Sequence, residues 1–190
     1  MRIVGGSLRG RRLAAPPGDI VRPTSDRARE ALFNRLVHGA FSGDGASSVA
    51  DACVLDAFCG AGTLGLEALS RGAAQALFLD NDSESVACVR RNIAALGMGG
   101  RATVVQADAT RPPQAPAACT LAFFDAPYAA ENLTAAALNA LAAAGWLAPG
   151  ALCVTETAAA GRLPAAPDGF EALDRRRYGS ARFSFLRYGP

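Results

Sequence analysis

The chain has 190 residues, of which 51% are hydrophobic, and its 19 basic and 17 acidic residues give a formal net charge of +2 at pH 7. This length suits one ordinary domain with a substantial core, and no apolar run approaches the roughly 20 residues that a membrane span needs. Residues 1–12 lack the apolar segment of a secretion signal, so we expect a cytoplasmic protein with no membrane partner.

The small net charge conceals three regions of different charge. Residues 1–40 carry eight Arg and three acidic residues, a net +5, whereas residues 41–161 carry a net −6 and residues 162–190 a net +3. All basic residues are Arg, which most simply reflects the codon usage of a GC-rich genome, so their positions are more informative than their identity. Basic ends suit a polyanion, and an acidic middle suits a cationic ligand.

The first predicted elements form an extension before the main body of the protein. Arg2–Leu13 is predicted as two short strands joined by a Gly-rich turn. A helix is predicted to begin after Ser25 and to end near Gly39, with Arg29 largely on its polar side. We expect residues 1–40 to form this hairpin and helix, and residues 50–190 to form the main domain, both within one compact unit.

Strands and helices alternate from Cys53 onward. The predicted strands are 53–58, 76–80, 102–106, 121–124, 151–155, 170–177 and 182–188, and the predicted helices are 63–71, 83–96 and 133–144. Repeated strand–helix units predict an α/β fold with a mostly parallel, doubly wound, seven-stranded sheet, in which the final hairpin makes one strand antiparallel.

The five cysteines include no CxxC pair, and three of them lie in apolar runs that resemble strands. Free thiols are therefore expected rather than disulfides or a zinc site. We accordingly expect no metal.

A Gly-rich motif follows the first predicted strand of the main body, and it reads Asp56-Ala-Phe58-Cys-Gly60-Ala-Gly62-Thr-Leu-Gly65. Its glycines permit a tight turn and let a nucleotide-like ligand approach the backbone closely. The glycine spacing alone fits either NAD or another adenosine cofactor.

Asp56 distinguishes between these cofactors. A carboxylate at the end of the strand repels the pyrophosphate of NAD and attracts a cationic ligand. S-adenosylmethionine carries a sulfonium and an ammonium group and no phosphate. The motif therefore resembles motif I of Rossmann-like class I methyltransferases, and we expect Asp56, Phe58, Gly60, Gly62 and Gly65 to bind S-adenosylmethionine.

Two further acidic residues follow the next two predicted strands. Asp80 ends the second strand, where a carboxylate can accept hydrogen bonds from both ribose hydroxyls, and Asp108 follows the third strand, where it can accept from the adenine amino group. Asp82 is the alternative to Asp80, but its position favours a role as the cap of the following helix.

The fourth predicted strand leads into Asp125-Ala126-Pro127-Tyr128, which resembles motif IV of amino-group methyltransferases, (D/N/S)PP(Y/F/W). An exocyclic amine is a weak nucleophile because its lone pair is delocalised into the base. A side-chain oxygen and a backbone carbonyl that accept its two hydrogens turn that lone pair toward the methyl group. We expect Asp125 and the carbonyl of Ala126 to do this, and Tyr128 to stack on the flipped base. Ala126 replaces the first Pro of the motif, so the loop loses one fixed φ.

The N-terminal extension resembles that of the bacterial RsmD family. The segments MRIVGGSLRGRRL and RPTSDRAREALFN match that family's signature closely, and the likeness continues through both motifs to RYGS at 177–180. Members of the family methylate the N2 amine of one guanine in small-subunit ribosomal RNA. The resemblance implies guanine-N2 methylation of 16S rRNA, with an assembling 30S subunit as the substrate, and it places Thr24 near the cofactor.

The basic extension also suggests where RNA binds. Arg9, Arg11, Arg12 and Arg22 are candidates for contacts with RNA phosphates, and we expect a monomer. Three alternatives remain open from the residues: an adenine-N6 or glutamine-N5 methyltransferase, a non-catalytic RNA-binding assembly factor, and an NAD-dependent oxidoreductase.

Overall fold

A computed structural model of the chain describes residues 1–16, 25–41, 45–127, 132–160 and 165–189. In chain order the helices are α1 (Asp26–Val37), α2 (Thr63–Ser70), α3 (Ser83–Leu96) and α4 (Leu133–Ala143). The strands are β1 (Cys53–Ala57), β2 (Gln75–Asp80), β3 (Ala102–Gln106), β4 (Cys119–Phe124), β5 (Leu147–Ala158), β6 (Phe170–Tyr178) and β7 (Ala181–Tyr188).

The strands form one seven-stranded sheet in the order β3-β2-β1-β4-β5-β7-β6. Strands β1 to β5 are parallel to their neighbours, and β7 lies antiparallel between β5 and β6. The predicted fold class is therefore confirmed. Because β1 to β5 all point the same way, their last residues lie along one border of the sheet, which we call the carboxyl edge.

Helices cover both faces of the sheet. On one face, apolar residues of α1, α2 and α3 pack against strand residues such as Phe78, Phe123 and Phe183. On the other face, Leu138 and Leu141 of α4 pack with Trp146 and the second set of strand residues. The core therefore has two apolar layers, as a doubly wound sheet requires.

Local signals explain where α3 begins and ends. The Asp82 carboxylate accepts a hydrogen bond from the amide of Ser85 at 2.9 Å, which satisfies a free donor of the first turn. At the other end, Gly97 takes a left-handed conformation with φ of 69° and closes the helix. The observed bounds equal the predicted ones.

The N-terminal hairpin is smaller than predicted. Arg2 and Arg12 form a single isolated bridge, and residues 6–8 form a 3-10 turn instead of continuing two strands. The turn interrupts strand pairing because it packs on α2, where the amide of Leu8 donates to the Ser70 hydroxyl at 2.9 Å. Ile3 and Leu13 are buried and attach this extension to the core.

All five cysteines are free thiols. None of the helices in the described ranges is long and apolar enough to cross a membrane. Within the same ranges, no three His, Cys, Asp or Glu side chains are grouped to hold a metal ion.

Candidate active site

Asp56 lies near the end of β1 and is 2% exposed. Its Oδ2 atom accepts a hydrogen bond from the amide of Gly65 at 2.8 Å. Burial raises the pKa of Asp56 to about 7; the Gly65 hydrogen bond opposes this shift, and the nearby charge of Asp80 adds to it. This carboxylate is therefore poised to ionise when a cation arrives beside it.

The loop between β1 and α2 has an unusual backbone. Phe58, Gly60 and Gly62 have φ values of 60°, 52° and 78°, all in the left-handed region. Glycine adopts this conformation readily, but Phe58 does so at a cost in free energy, and such costs concentrate at functional sites. A Cβ atom on Gly60 would have no heavy atom within 4 Å, so the loop borders open space.

Asp80 connects the end of β2 to this loop. Its Oδ2 atom accepts from the amide of Gly60 at 2.9 Å, and its Oδ1 atom accepts from the amide of Asp82 at 3.0 Å. The structure thus brings Asp56, Gly60 and Asp80 together at the carboxyl edge. Asp82 serves as the helix cap described above.

Asp108 follows β3 at the same edge and is exposed. Its Oδ1 atom accepts from both the amide and the hydroxyl of Thr110 at 2.8 Å. The backbone bond from Thr110 is the largest cause that holds the pKa of Asp108 below its usual value. Asp108 is therefore ionised at neutral pH, and its Oδ2 atom takes part in neither of these two hydrogen bonds.

Asp125 follows β4 and is partly buried. No residue in the described ranges donates a hydrogen bond to its carboxylate. Burial raises the pKa of Asp125 well above its usual value, and the charges of Glu156 and Asp56 raise it further. The site therefore contains a desolvated acceptor that has kept its hydrogen-bonding capacity.

Glu156 is a site residue that the sequence reasoning missed. It lies on β5, is 4% exposed and is surrounded by side chains that include Leu32, Phe123 and Phe124. Because Phe124 is the register partner of Thr155, the next residues along the two strands, Asp125 and Glu156, lie side by side. The only available signal was a polar Thr-Glu-Thr run at the end of an apolar strand.

The remaining residues of motif IV are only partly described. Ala126 is buried and Pro127 is exposed, both directly after Asp125. Tyr128 lies outside the described residues, as do Thr24 and Arg22.

The other N-terminal Arg candidates do not gather at the carboxyl edge. Arg11 donates through Nη2 to the carbonyl of Ala95 at 2.8 Å, in the last turn of α3. Because α3 begins at the carboxyl edge and crosses the sheet, this contact lies toward the opposite edge. Arg9 follows the turn that packs on Ser70 at the end of α2, and Arg12 is exposed in the bridge with Arg2.

A buried ion pair attaches the extension to α2. Glu67 is 0% exposed and accepts from the amide of Val4 at 2.8 Å and from Arg71 Nε at 2.7 Å. Arg29 is 1% exposed and lies 3.8 Å from the same carboxylate. It also donates to the Arg2 carbonyl at 2.7 Å and to Asp26 at 2.8 Å. The expectation that Arg29 lies largely off the buried side of the helix was wrong, because Arg29 is buried and its charge is neutralised by Asp26 and Glu67.

Comparison with known proteins gives consistent matches. The family model described as "Conserved hypothetical protein 95" matches residues 1–187. The Escherichia coli K12 protein named "Ribosomal RNA small subunit methyltransferase D" is 39% identical over 168 residues, which are 88% of this chain and 79% of that protein. The protein of the same name from Haemophilus influenzae is 33% identical over 161 residues, covering 83% of this chain and 78% of that protein.

A solved structure also matches along the whole chain. The structure of yhhF from Escherichia coli is similar with a TM-score of 0.81 and 34% identity, covering 100% of this chain and 98% of that one.

Proposed function

The chain belongs to the RsmD family, whose model matches residues 1–187, and is a methyltransferase. We propose that it transfers a methyl group from S-adenosylmethionine to the N2 amine of a guanine in 16S rRNA. The substrate is an assembling 30S subunit. The observation that carries this proposal is the Asp125 carboxylate at the carboxyl edge, which accepts no hydrogen bond from the described residues and lies next to the carbonyl of Ala126, one strand away from the Gly-rich loop.

The residues around the Gly-rich loop fit S-adenosylmethionine. A carboxylate that is 98% shielded from water is costly to ionise unless a cation compensates it, and the ligand brings two positive groups to Asp56. The open space at Gly60 leaves room for a ligand against the backbone. Asp80 and Asp108, at the ends of β2 and β3, are proposed to bind the ribose hydroxyls and the adenine amine, and Phe58, Gly62, Gly65 and Thr24 complete the cofactor site.

The bound cofactor supplies an electrophilic methyl group on sulfur. Asp125 and the Ala126 carbonyl accept the two hydrogens of the N2 amine and hold its lone pair in line with that methyl group. Methyl transfer leaves a positive charge on the amine, and its proton passes to solvent or to Asp125. The raised pKa of Asp125 supports the second route, because a carboxylate with a high pKa is the better base. Pro127 restricts the loop, and Tyr128 stacks on the base.

The rest of the chain has supporting roles in this proposal. Residues 1–40 act as an extension of the methyltransferase domain at 50–190, and the protein acts as a cytoplasmic monomer that needs no metal. Arg9, Arg11, Arg12 and Arg22 contact RNA in this proposal, and the first three of them lie away from the carboxyl edge. The relatives' names and the basic charge of this segment support an RNA substrate.

Transfer of a tritiated methyl group tests the proposal directly. Small subunits from a strain that lacks this gene are incubated with the protein and labelled cofactor, and the rRNA is digested to nucleosides. We expect label in N2-methylguanosine, with Asp125→Ala losing turnover while its cofactor affinity by calorimetry is unchanged. Label in N6-methyladenosine, label in protein, or no label contradicts the proposal.

A further inference from the structure

Four Arg residues lie at the end of β6 and the start of β7, and because side chains alternate along a strand, Arg176 points to the opposite face from Arg175 and Arg177. We call Arg175, Arg176 and Arg177 of β6 and Arg182 of β7 the Arg ribbon. Strands β5 and β6 are both antiparallel to β7, so they run in the same direction, and β6 ends at the carboxyl edge. The ribbon therefore lies at the border of the sheet that also carries the candidate active site.

The register of neighbouring strands shows how the ribbon is connected to the candidate active site. Arg177 is the partner of Arg182, and Arg182 is the partner of Thr157. Thr157 directly follows Glu156, which lies beside Asp125. A continuous row of neighbouring strands thus connects Asp125 to the ribbon across β5 and β7.

The ribbon has an excess of positive charge. Its nearest acidic residue in sequence is Asp174, which already pairs with Arg35 at 2.5 Å and with Arg176 at 3.1 Å. Arg175 and Arg177 are exposed and form no ion pair with any residue in the described ranges. Arg182 donates to the Ala159 carbonyl, which holds its guanidinium near the turn.

The active site needs such a surface, because its own charge is unfavourable for nucleic acid. Asp56, Asp80, Asp125 and Glu156 make the cleft acidic, which suits a cationic cofactor and repels phosphates. Arg111 is at the carboxyl edge too, but it lies beside Asp108 at the β3 end of the sheet. The ribbon is on the β5 side of the cleft, two to three strands away from Asp125, which is proposed to hold the target amine.

We propose that the Arg ribbon binds the backbone phosphates of RNA next to the target guanine and holds the strand over the cleft. This inference rests on the proposed function and adds the surface that supplies affinity for the substrate. Planar guanidinium groups pair with phosphate oxygens through two parallel hydrogen bonds. Because phosphate contacts release condensed cations, they give binding that weakens steeply as salt is raised.

The other explanation for charged residues here is protection of the sheet. Strand β6 is an edge strand, and charged side chains on edge strands prevent them from pairing with other molecules. That explanation predicts self-association when the charges are removed, with no effect on RNA. The two roles therefore differ in a measurable way.

The test compares the double variant Arg175→Gln/Arg177→Gln with a matched control, Arg90→Gln/Arg91→Gln. Arg90 and Arg91 are also adjacent and exposed, but they lie on α3. Methylation of small subunits is followed at several salt concentrations, and cofactor binding is measured by calorimetry. For the ribbon variant we expect KM for the small subunit to rise about tenfold, and the slope of log KM against log salt to become shallower by about 1 to 2.

The unchanged quantities are equally diagnostic. We expect kcat at saturating subunit and cofactor affinity to equal those of the wild type, and the control to match the wild type throughout. Arg175→Lys/Arg177→Lys keeps the charge and should recover most of the loss in KM. If the glutamine variant has the KM and salt slope of the wild type, with or without self-association, the inference is overturned. The proposed function still holds in that case, provided that the wild-type protein methylates small subunits. Absence of wild-type methylation would instead reject the proposed function.

Discussion

The carboxylate of Asp56 accepts a hydrogen bond from the backbone amide of Gly65, nine residues later, at 2.8 Å. This bond joins the end of β1 to the first turn of α2 across the Gly-rich loop. On its other side, Gly65 faces β2, because a Cβ atom there would lie 2.4 Å from Cε1 of Phe78 and 3.2 Å from Cβ of Asp56. The loop conformation is thus fixed by an acid on one strand and by an aromatic ring on the next.

Gly65→Ala should destabilise the protein through this close approach. The added methyl group forces Phe78 or α2 to move, at a cost of about 1 to 3 kcal/mol in the free energy of unfolding. For a chain of this size, that corresponds to a fall in Tm of roughly 2 to 10 °C. Thermal unfolding followed by circular dichroism measures it. Gly100→Ala is the matched control, because nothing lies within 4 Å of its Cβ position; equal Tm values for the two variants would contradict the packing argument.

Binding of S-adenosylmethionine should strengthen as pH rises toward neutrality. Burial raises the pKa of Asp56 to about 7, so the unliganded protein holds a proton there below that pH. A cationic ligand prefers the ionised form, and binding must release this proton, which weakens affinity by up to about tenfold for each unit below the pKa. Calorimetry between pH 5.5 and 7.5, in buffers of different ionisation enthalpy, measures both effects. Asp56→Asn should bind weakly and with little dependence on pH, and an unchanged pH slope in this variant would refute the assignment.

Much of this architecture was predictable because its signals are local. Asp82 and Gly97 mark the ends of α3, and the alternation of strands with helices implies parallel strands. Parallel strands bring their ends to one edge, so the neighbourhood of Asp56, Asp80 and Asp125 follows from sequence order. No side-chain contact had to be known for that step.

The missed features depend on contacts between distant parts of the chain. Arg29 and Glu67 are separated by 38 positions, and neither neighbourhood in the sequence indicates that both are buried. Glu156 looks like a polar residue near a strand end, and its nearness to Asp125 depends on the register between β4 and β5. The hairpin was overestimated for a related reason, because the contact of its turn with Ser70 overrides the local strand pattern.

Glu67→Gln should weaken the attachment of the N-terminal extension. The substitution keeps an acceptor for the amide of Val4 but removes a negative charge that lies 3.8 Å from the buried guanidinium of Arg29 and 2.7 Å from Arg71 Nε. Removing one partner of a buried ion pair costs about 3 kcal/mol or more in the free energy of unfolding. Urea denaturation measures the loss, and hydrogen exchange should show faster exchange in residues 1–16. Glu84→Gln, at an exposed position on α3, should change neither quantity.

The pH profile of methyl transfer should depend on Glu156. Asp125 accepts the amine hydrogens best when it is ionised, so kcat should rise with pH through the pKa of this carboxyl, which burial and then the charges of Glu156 and Asp56 hold above its usual value. Glu156→Gln removes one of the negative charges and therefore lowers the pKa of Asp125. The acid limb of the profile should therefore move to lower pH. Single-turnover rates at saturating cofactor, measured from pH 5 to 9, separate this shift from effects on binding. Glu84→Gln should leave the limb where it is, and a Glu156→Gln profile that coincides with that of the wild type would mean that the two carboxylates are not coupled in the reaction.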